Sequence, residues 1–349
     1  MIRGDDGREG AMGRERGRVR LQDVAEHAGV SMKTVSNVVR DAPHVSERMR
    51  LRVQRSIDEL GYRPNMMGRR LATGRTGLVA LAFADIGIPY FAELSRVVSR
   101  VALRHGYRVL IEETDATLDG ERALLASSES GLVDGMLFQP SVMTSTEIAR
   151  HRAELPLVLL GETAAPLTMD RVMIDNVAAA RDVTRHVLAE GRRRVGFVGH
   201  ERAGLSETSR QRIAGYQQAL EEAGLTPDPA LLVATDEISA AGAVRAVGAA
   251  LASGLDVDAL VCRDDLAAMG TLRALQEHGV RVPQQVAVTG WDDVRLAAVT
   301  FPSLTSVAPD LEALAERALT LLLERVGGFD GTGRHETVPY RVVVRESAP

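Results

Sequence analysis

The side chains that could do chemistry in this chain are few and poorly arranged for catalysis. Asp264 and Asp265 are paired acids, but they are sequence neighbours. Strand geometry sends neighbours to opposite faces, which suits acid–base work badly. Cys262 is the only cysteine, which excludes a disulfide within the chain and leaves almost no scope for a thiolate metal site. The eight histidines are scattered, with no HExxH and no Cys/His cluster, so neither a metal nor a cofactor is expected. Lys33 is the only lysine, and it follows Met32 rather than a phosphate-loop glycine. Its setting is equally unsuitable for Schiff-base chemistry. No GxGxxG follows the first strand-like segment, whose exit reads FADIGIPY, and no serine sits in GxSxG. These residues argue against an enzyme. A more coherent set is Met32, Lys33 and Asn37, which share the exposed face of one short helix.

The elements that position that face are legible. Leu21, Val24, Ala25 and Ala28 recur at helical spacing, and Gly29 can take the positive φ that ends a helix. Ser31 is a good N-cap for a second helix, whose buried face is Val35, Val38 and Val39. Two short helices around a glycine-containing turn form a helix-turn-helix signature. A third helix starts at Ser46, carries Met49, Val53, Ile57 and Leu60, and stops at Gly61. Charge follows the same division. Residues 19–75 hold eleven Arg/Lys and six acids, within a chain of net charge −5. A basic head on an acidic body points to a head that meets a polyanion.

From Leu78 onward strands alternate with helices in two series. That pattern implies two lobes, each a mostly parallel sheet covered on both faces. Expected helices include Tyr90–His105, Gln211–Ala223, Ala240–Ser253 and Leu266–His278. The expected layout is a disordered charged arm (1–18), a helix-turn-helix domain (19–63), a hinge (64–77) and a core (78–345). Within the core, the first lobe takes about 78–173 and 304–326, and the second about 174–303 and 327–345. The charged N-terminus lacks an apolar signal segment, and no run of about 18 apolar residues is available to span a membrane. A cytoplasmic protein without membrane contact is expected.

The segment LQDVAEHAGVSMKTVSNVVRDAPHVSERMRLRVQRSIDELGYRPN closely resembles the DNA-binding head of the LacI/GalR family. RVGFVGH, the R-x-x-G-Y at 212–216, CRDDLAAMG, VRVPQQVAVTGWDD and FPSLTSV resemble core segments of that family, in order, so the resemblance covers about 19–345. It implies an all-α helix-turn-helix head on a two-lobed, periplasmic-binding-protein-like α/β core. It further implies a homodimer on palindromic double-stranded DNA, controlled by a small-molecule effector. Met32, Lys33 and Asn37 would then contact base edges: Lys33 guanine O6 or N7, Asn37 adenine, Met32 a thymine methyl. The family usually has Arg where Asn37 stands, and Met32 can instead pack on the first helix. Leu21, Ser31, Thr34, Ser36, Arg40, His44 and Ser46 would fix register through phosphates or caps.

In the hinge, Asn65 would cap a short helix, Gly68 would let two such helices approach, and Leu71 would wedge into the minor groove. The family pattern places the effector among Tyr90, Phe91, Glu162, Thr208, Arg212, Glu237, Asp264 and Asp292. Asp264 replaces a family asparagine, and the alignment slips by one residue at Glu237. Hydroxyl-bearing ligands, carbohydrates above all, fit such a set. Arg212 and Asp292 can alternatively form a structural ion pair, and Asp175 and Asn176 read as structural. A regulator using a nucleoside-type co-repressor is the alternative function. An enzyme or a solute-binding protein on the same core is a more distant one.

Overall fold

The computed structural model describes residues 19–39, 42, 44–62, 75–127, 131–150, 155–163 and 165–349. The expectations placed on residues 1–18, Arg40, Asn65, Gly68 and Leu71 lie outside that set. The chain divides into two compact units, Met1–Thr76 and Gly77–Pro349.

The described part of the first unit is three helices: α1 (Leu21–Ala28), α2 (Met32–Val39) and α3 (Glu47–Leu60). Gly29 ends α1 at φ +62°, and Gly61 ends α3 at φ +65°. The Ser31 hydroxyl accepts the Thr34 N–H at 3.1 Å and caps α2. Ser46 holds the N-cap position of α3, but its side chain makes no capping bond, unlike the expectation. Val24, Ala25, Ala28, Val35, Val38, Val53 and Tyr62 form the buried core of this unit. Val39, expected on the buried face, is exposed, since α2 turns only Val35 and Val38 fully inward.

The second unit contains two six-stranded sheets. The first joins β1 (Leu78–Phe83), β2 (Arg108–Glu113), β3 (Gly135–Phe138), β4 (Leu157–Leu160), β5 (Asp170–Met173) and β11 (His335–Thr337) in the order β11-β5-β4-β3-β1-β2. All its pairings are parallel. The second joins β6 (Val195–Glu201), β7 (Leu232–Thr235), β8 (Ala259–Cys262), β9 (Ala287–Trp291), β10 (Thr305–Pro309) and β12 (Tyr340–Val343) in the order β12-β10-β9-β8-β6-β7. Only the β10–β12 pair is antiparallel.

Helices α4 (Pro89–Arg104), α5 (Leu118–Ser127), α6 (Ser145–Arg150) and α11 (Leu311–Val326) belong with the first sheet. Helices α7 (Asn176–Ala189), α8 (Glu207–Glu222), α9 (Ala240–Ala252) and α10 (Asp265–Glu277) belong with the second. Helix α8 starts at Glu207 rather than Gln211, because Ser206 caps it by accepting the Ser209 N–H at 3.2 Å. This earlier start brings Thr208 onto the helix.

Two strands lie outside their expected lobes. β10 falls within 304–326 but pairs with β9 of the second sheet. β11 falls within 327–345 but pairs with β5 of the first. A buried ionic clasp accounts for the return of β11. Fully buried Asp170 receives Arg325 Nε and Arg334 NH2, each at 2.9 Å. Burial opposes its charge, yet the two guanidiniums hold the carboxyl below the usual carboxylate range. Local hydrophobicity carries no mark of that clasp.

Candidate ligand cleft and nucleic-acid interface

In the second unit a cavity of about 970 Å³ is lined by residues of both lobes. Strand ends and the loops after them supply many of its polar groups, as expected for open parallel sheets, and α8 adds Thr208 and Arg212. Its volume lies near the top of the range of about 300–1,000 Å³ for small-molecule sites.

Glu162 follows β4 in the first lobe and reaches into the second. Its Oε1 accepts the Asn176 amide at 2.8 Å, and its Oε2 accepts the Thr208 hydroxyl at 3.1 Å. Arg212 NH2 lies 3.9 Å from the same carboxylate. Arg212, on α8, donates Nε to Asn176 Oδ1 at 2.9 Å and NH1 to the Arg263 carbonyl. Its guanidinium stacks 3.9 Å from the Trp291 ring centroid. Burial lowers its pKa, while Asp292 and Glu162 work in the opposite sense.

Asp292 follows β9 at φ +104°, a backbone conformation rare for a non-glycine residue. Burial pushes its carboxyl well above the ordinary range, with Arg212 opposing. No ion pair joins it to Arg212, and among the described residues its carboxylate has no hydrogen-bond partner. The structural-pair alternative is therefore not what the geometry displays. Asp264 lines the cavity, but both its oxygens are engaged. Oδ1 caps α10 through the Ala267 N–H at 2.8 Å, and Oδ2 meets Arg263 NH1 at 2.6 Å. Asp265 is fully buried, holding the Ser306 hydroxyl at 2.7 Å and the Val294 N–H at 2.8 Å. Burial pushes its carboxyl up to about 7.

Tyr90 lines the cavity, and burial raises its phenol pKa, so the hydroxyl stays protonated. Phe91, at the cavity edge, is mainly core. It stacks on Phe83 at 4.7 Å and meets Tyr90 edge-on at 5.3 Å, bracing it. Glu237 is not brought into the cavity. It is exposed and pairs with Arg245 at 2.8 Å, while its neighbour Ile238 lines the cleft. Trp291, Arg263 and Gln139 line the cavity without having been singled out from sequence. Trp291 had a signal, being the only tryptophan and ending a strand before two acids. Asn176, read as structural from the sequence, joins Glu162 to Arg212.

In the head, Met32 is 53% exposed and Lys33 is exposed. Asn37 is half-buried, and its amide lies 3.2 Å from the His44 ring. Ser31 and Ser46 are exposed, and Thr34 and Ser36 are half-buried. Leu21 packs against the head core.

Residues 20–65 match the family model for bacterial regulatory proteins of the lacI family. Residues 184–348 match that for a periplasmic binding protein-like domain. The transcriptional regulator RegA of Clostridium saccharobutylicum is 31% identical over 329 residues, covering 94% of this chain and 98% of RegA. The chain belongs to the LacI family of bacterial transcription regulators.

Solved LacI-family structures agree with that membership. A regulator from Sanguibacter keddieii is 38% identical with a TM-score of 0.73, covering 79% of this chain and 99% of its own. The regulator CelR, solved with cellobiose, is 28% identical with a TM-score of 0.70, covering 95% and 100%. The relatives are DNA-binding regulators rather than enzymes. In a LacI-family chain the packed α2 is the second helix of the turn motif. Among the described residues no helix is long and apolar enough to cross a membrane.

Proposed function

We propose that this LacI-family chain is a homodimeric repressor of a palindromic operator, controlled by an uncharged polyol held between the core lobes. One observation carries the ligand class. Asp292 presents a carboxyl group that hydrogen-bonds to no described residue, near an Arg212 guanidinium placed over the Trp291 ring. An acceptor next to a donor, over an aromatic face, suits vicinal hydroxyls. The cellobiose complex of CelR supports a carbohydrate. In the head, Met32, Lys33 and Asn37 read bases, while Ser31, Thr34, Ser36, Arg40, His44 and Ser46 fix register on phosphates. Asn65, Gly68 and Leu71 serve the hinge and minor groove. Leu296, Val299 and Phe301 are 53%, 74% and 97% exposed in one short segment, an apolar face that supports a second copy as its cover.

The test has two arms. A thermal-shift panel of neutral mono- and disaccharides including cellobiose, nucleosides and sugar phosphates should yield a neutral sugar as the stabiliser. At 100 times its Kd such a ligand adds about 2.7 kcal/mol. Footprinting on DNA flanking the gene should give a two-fold symmetric site. Stabilisation by sugar phosphates alone, or no footprint at moderate salt, overturns the reading.

A further inference from the structure

One buried acid of the first lobe has a different kind of partner. Glu121, in the first turn of α5, is 0% exposed. Among the described residues its carboxylate meets no guanidinium; it meets backbone. Oε1 accepts the Ser141 N–H at 2.5 Å and the Val142 N–H at 3.1 Å, and Oε2 accepts the Met143 N–H at 2.7 Å. Successive N–H groups converging on one point make an anion-binding concavity. The rest of that loop is also satisfied. Gln139 N–H donates to the Ala82 carbonyl at 2.9 Å, Pro140 has no N–H, and Thr144 N–H donates to Glu147 at 3.0 Å. The loop joins β3 to α6, and Gln139 to Ser145 all line the ligand cavity. Glu121 does not line it.

We propose that Glu121 is an internal anion filling a backbone anion site in the first-lobe wall, and so a positioning and specificity residue for the cleft. It holds loop 139–144 in place and turns three N–H donors away from the ligand. Those three backbone donors are then not available to a phosphate or carboxylate in the cleft. A buried carboxylate without a cation is costly, and three charge-assisted N–H bonds are what make it tolerable. The inference rests on the cleft being the ligand site, and it sharpens the ligand class to uncharged molecules.

The experiment uses the full-length protein and needs no effector. In Glu121→Gln the side-chain NH2 cannot accept, so amide exchange at Ser141–Met143 should rise by about tenfold or more, the loss expected for hydrogen bonds to a charged group. In Glu121→Ala, sodium formate should restore melting temperature and exchange protection saturably. Sodium chloride should not, and the wild type should respond to neither. Wild-type protection in Glu121→Gln overturns the proposal, as does an equal formate response in wild type and Glu121→Ala. If Glu121→Ala fails to fold, the exchange result for Glu121→Gln decides alone. Neither arm depends on finding a sugar, so failure here is distinguishable from failure of the polyol reading.

Discussion

The head and the cleft display their polar groups in opposite ways. On α2, Lys33 and Met32 stand exposed, and the residues that hold the helix are apolar and separate from them. In the cleft, Glu162, Thr208, Asn176 and Arg212 are bound to one another, and Asp264 caps a helix. Asp292 alone among the acids singled out there has no hydrogen bond or ion pair to a described residue. The contrast teaches which residues can change freely. Recognition and stability are separable in the head and fused in the cleft.

Substitutions can break that contrast, and the largest effect is expected in the cleft. Arg212→Met removes one member of a buried network, taking the cation from Glu162 and the donor from Asn176 Oδ1. Urea unfolding should show a loss of about 3–5 kcal/mol, the range for breaking a buried ion pair, together with loss of ligand response. In the head, Lys33→Ala should weaken operator binding by about 1–3 kcal/mol, about 5–150-fold, as measured by fluorescence anisotropy. Its unfolding midpoint should stay put, within about 0.5 kcal/mol. If Lys33→Ala unfolds the head, the separation claimed for that unit is wrong.

A pH series sharpens the same comparison. Asp265 titrates at about 7 in the fold because burial disfavours its charge. The unfolded chain releases that proton near pH 4. The native state therefore holds a proton that the unfolded state has lost between about pH 4 and 7. From this group, stability is highest below that window, falls as pH rises through it, and levels off above. The slope is at most about 1.4 kcal/mol per pH unit. Asp265→Asn should remove that slope from urea unfolding measured between pH 4 and 8. The smallest effect is expected at Glu237, whose exposed pair with Arg245 lies off the cavity. Glu237→Gln should leave both the melting temperature and the ligand-induced shift as in wild type.

The sequence and the structure agree over most locally dictated features, with the Ser46 cap, Val39 and the start of α8 as exceptions. Gly29, Ser31 and the Val35/Val38 face define the turn motif without tertiary help, because caps and helical period are local. The alternation of strands and helices reveals parallel sheets for the same reason. Lobe membership is not local. β10 and β11 are short strands whose sheet is chosen by long-range pairing, and for β11 by the Asp170 clasp. In the cleft, Glu162, Thr208 and Arg212 could be placed by resemblance, yet their mutual bonding through Asn176 could not. Glu237 was misplaced where the register slips by one, and Ile238 occupies the wall instead. Glu121 gave no sequence signal, since its partners are backbone N–H groups twenty residues away or more.

The central claim is that a ligand in the cleft governs DNA binding by the head. It is tested most directly by titrating a labelled footprinted operator with the full-length protein, at fixed salt, with and without the sugar that passes the thermal-shift panel. The expected result is a shift of operator Kd by about 5–150-fold, a coupling of about 1–3 kcal/mol. A saturating sugar that leaves the operator Kd unchanged would contradict the account.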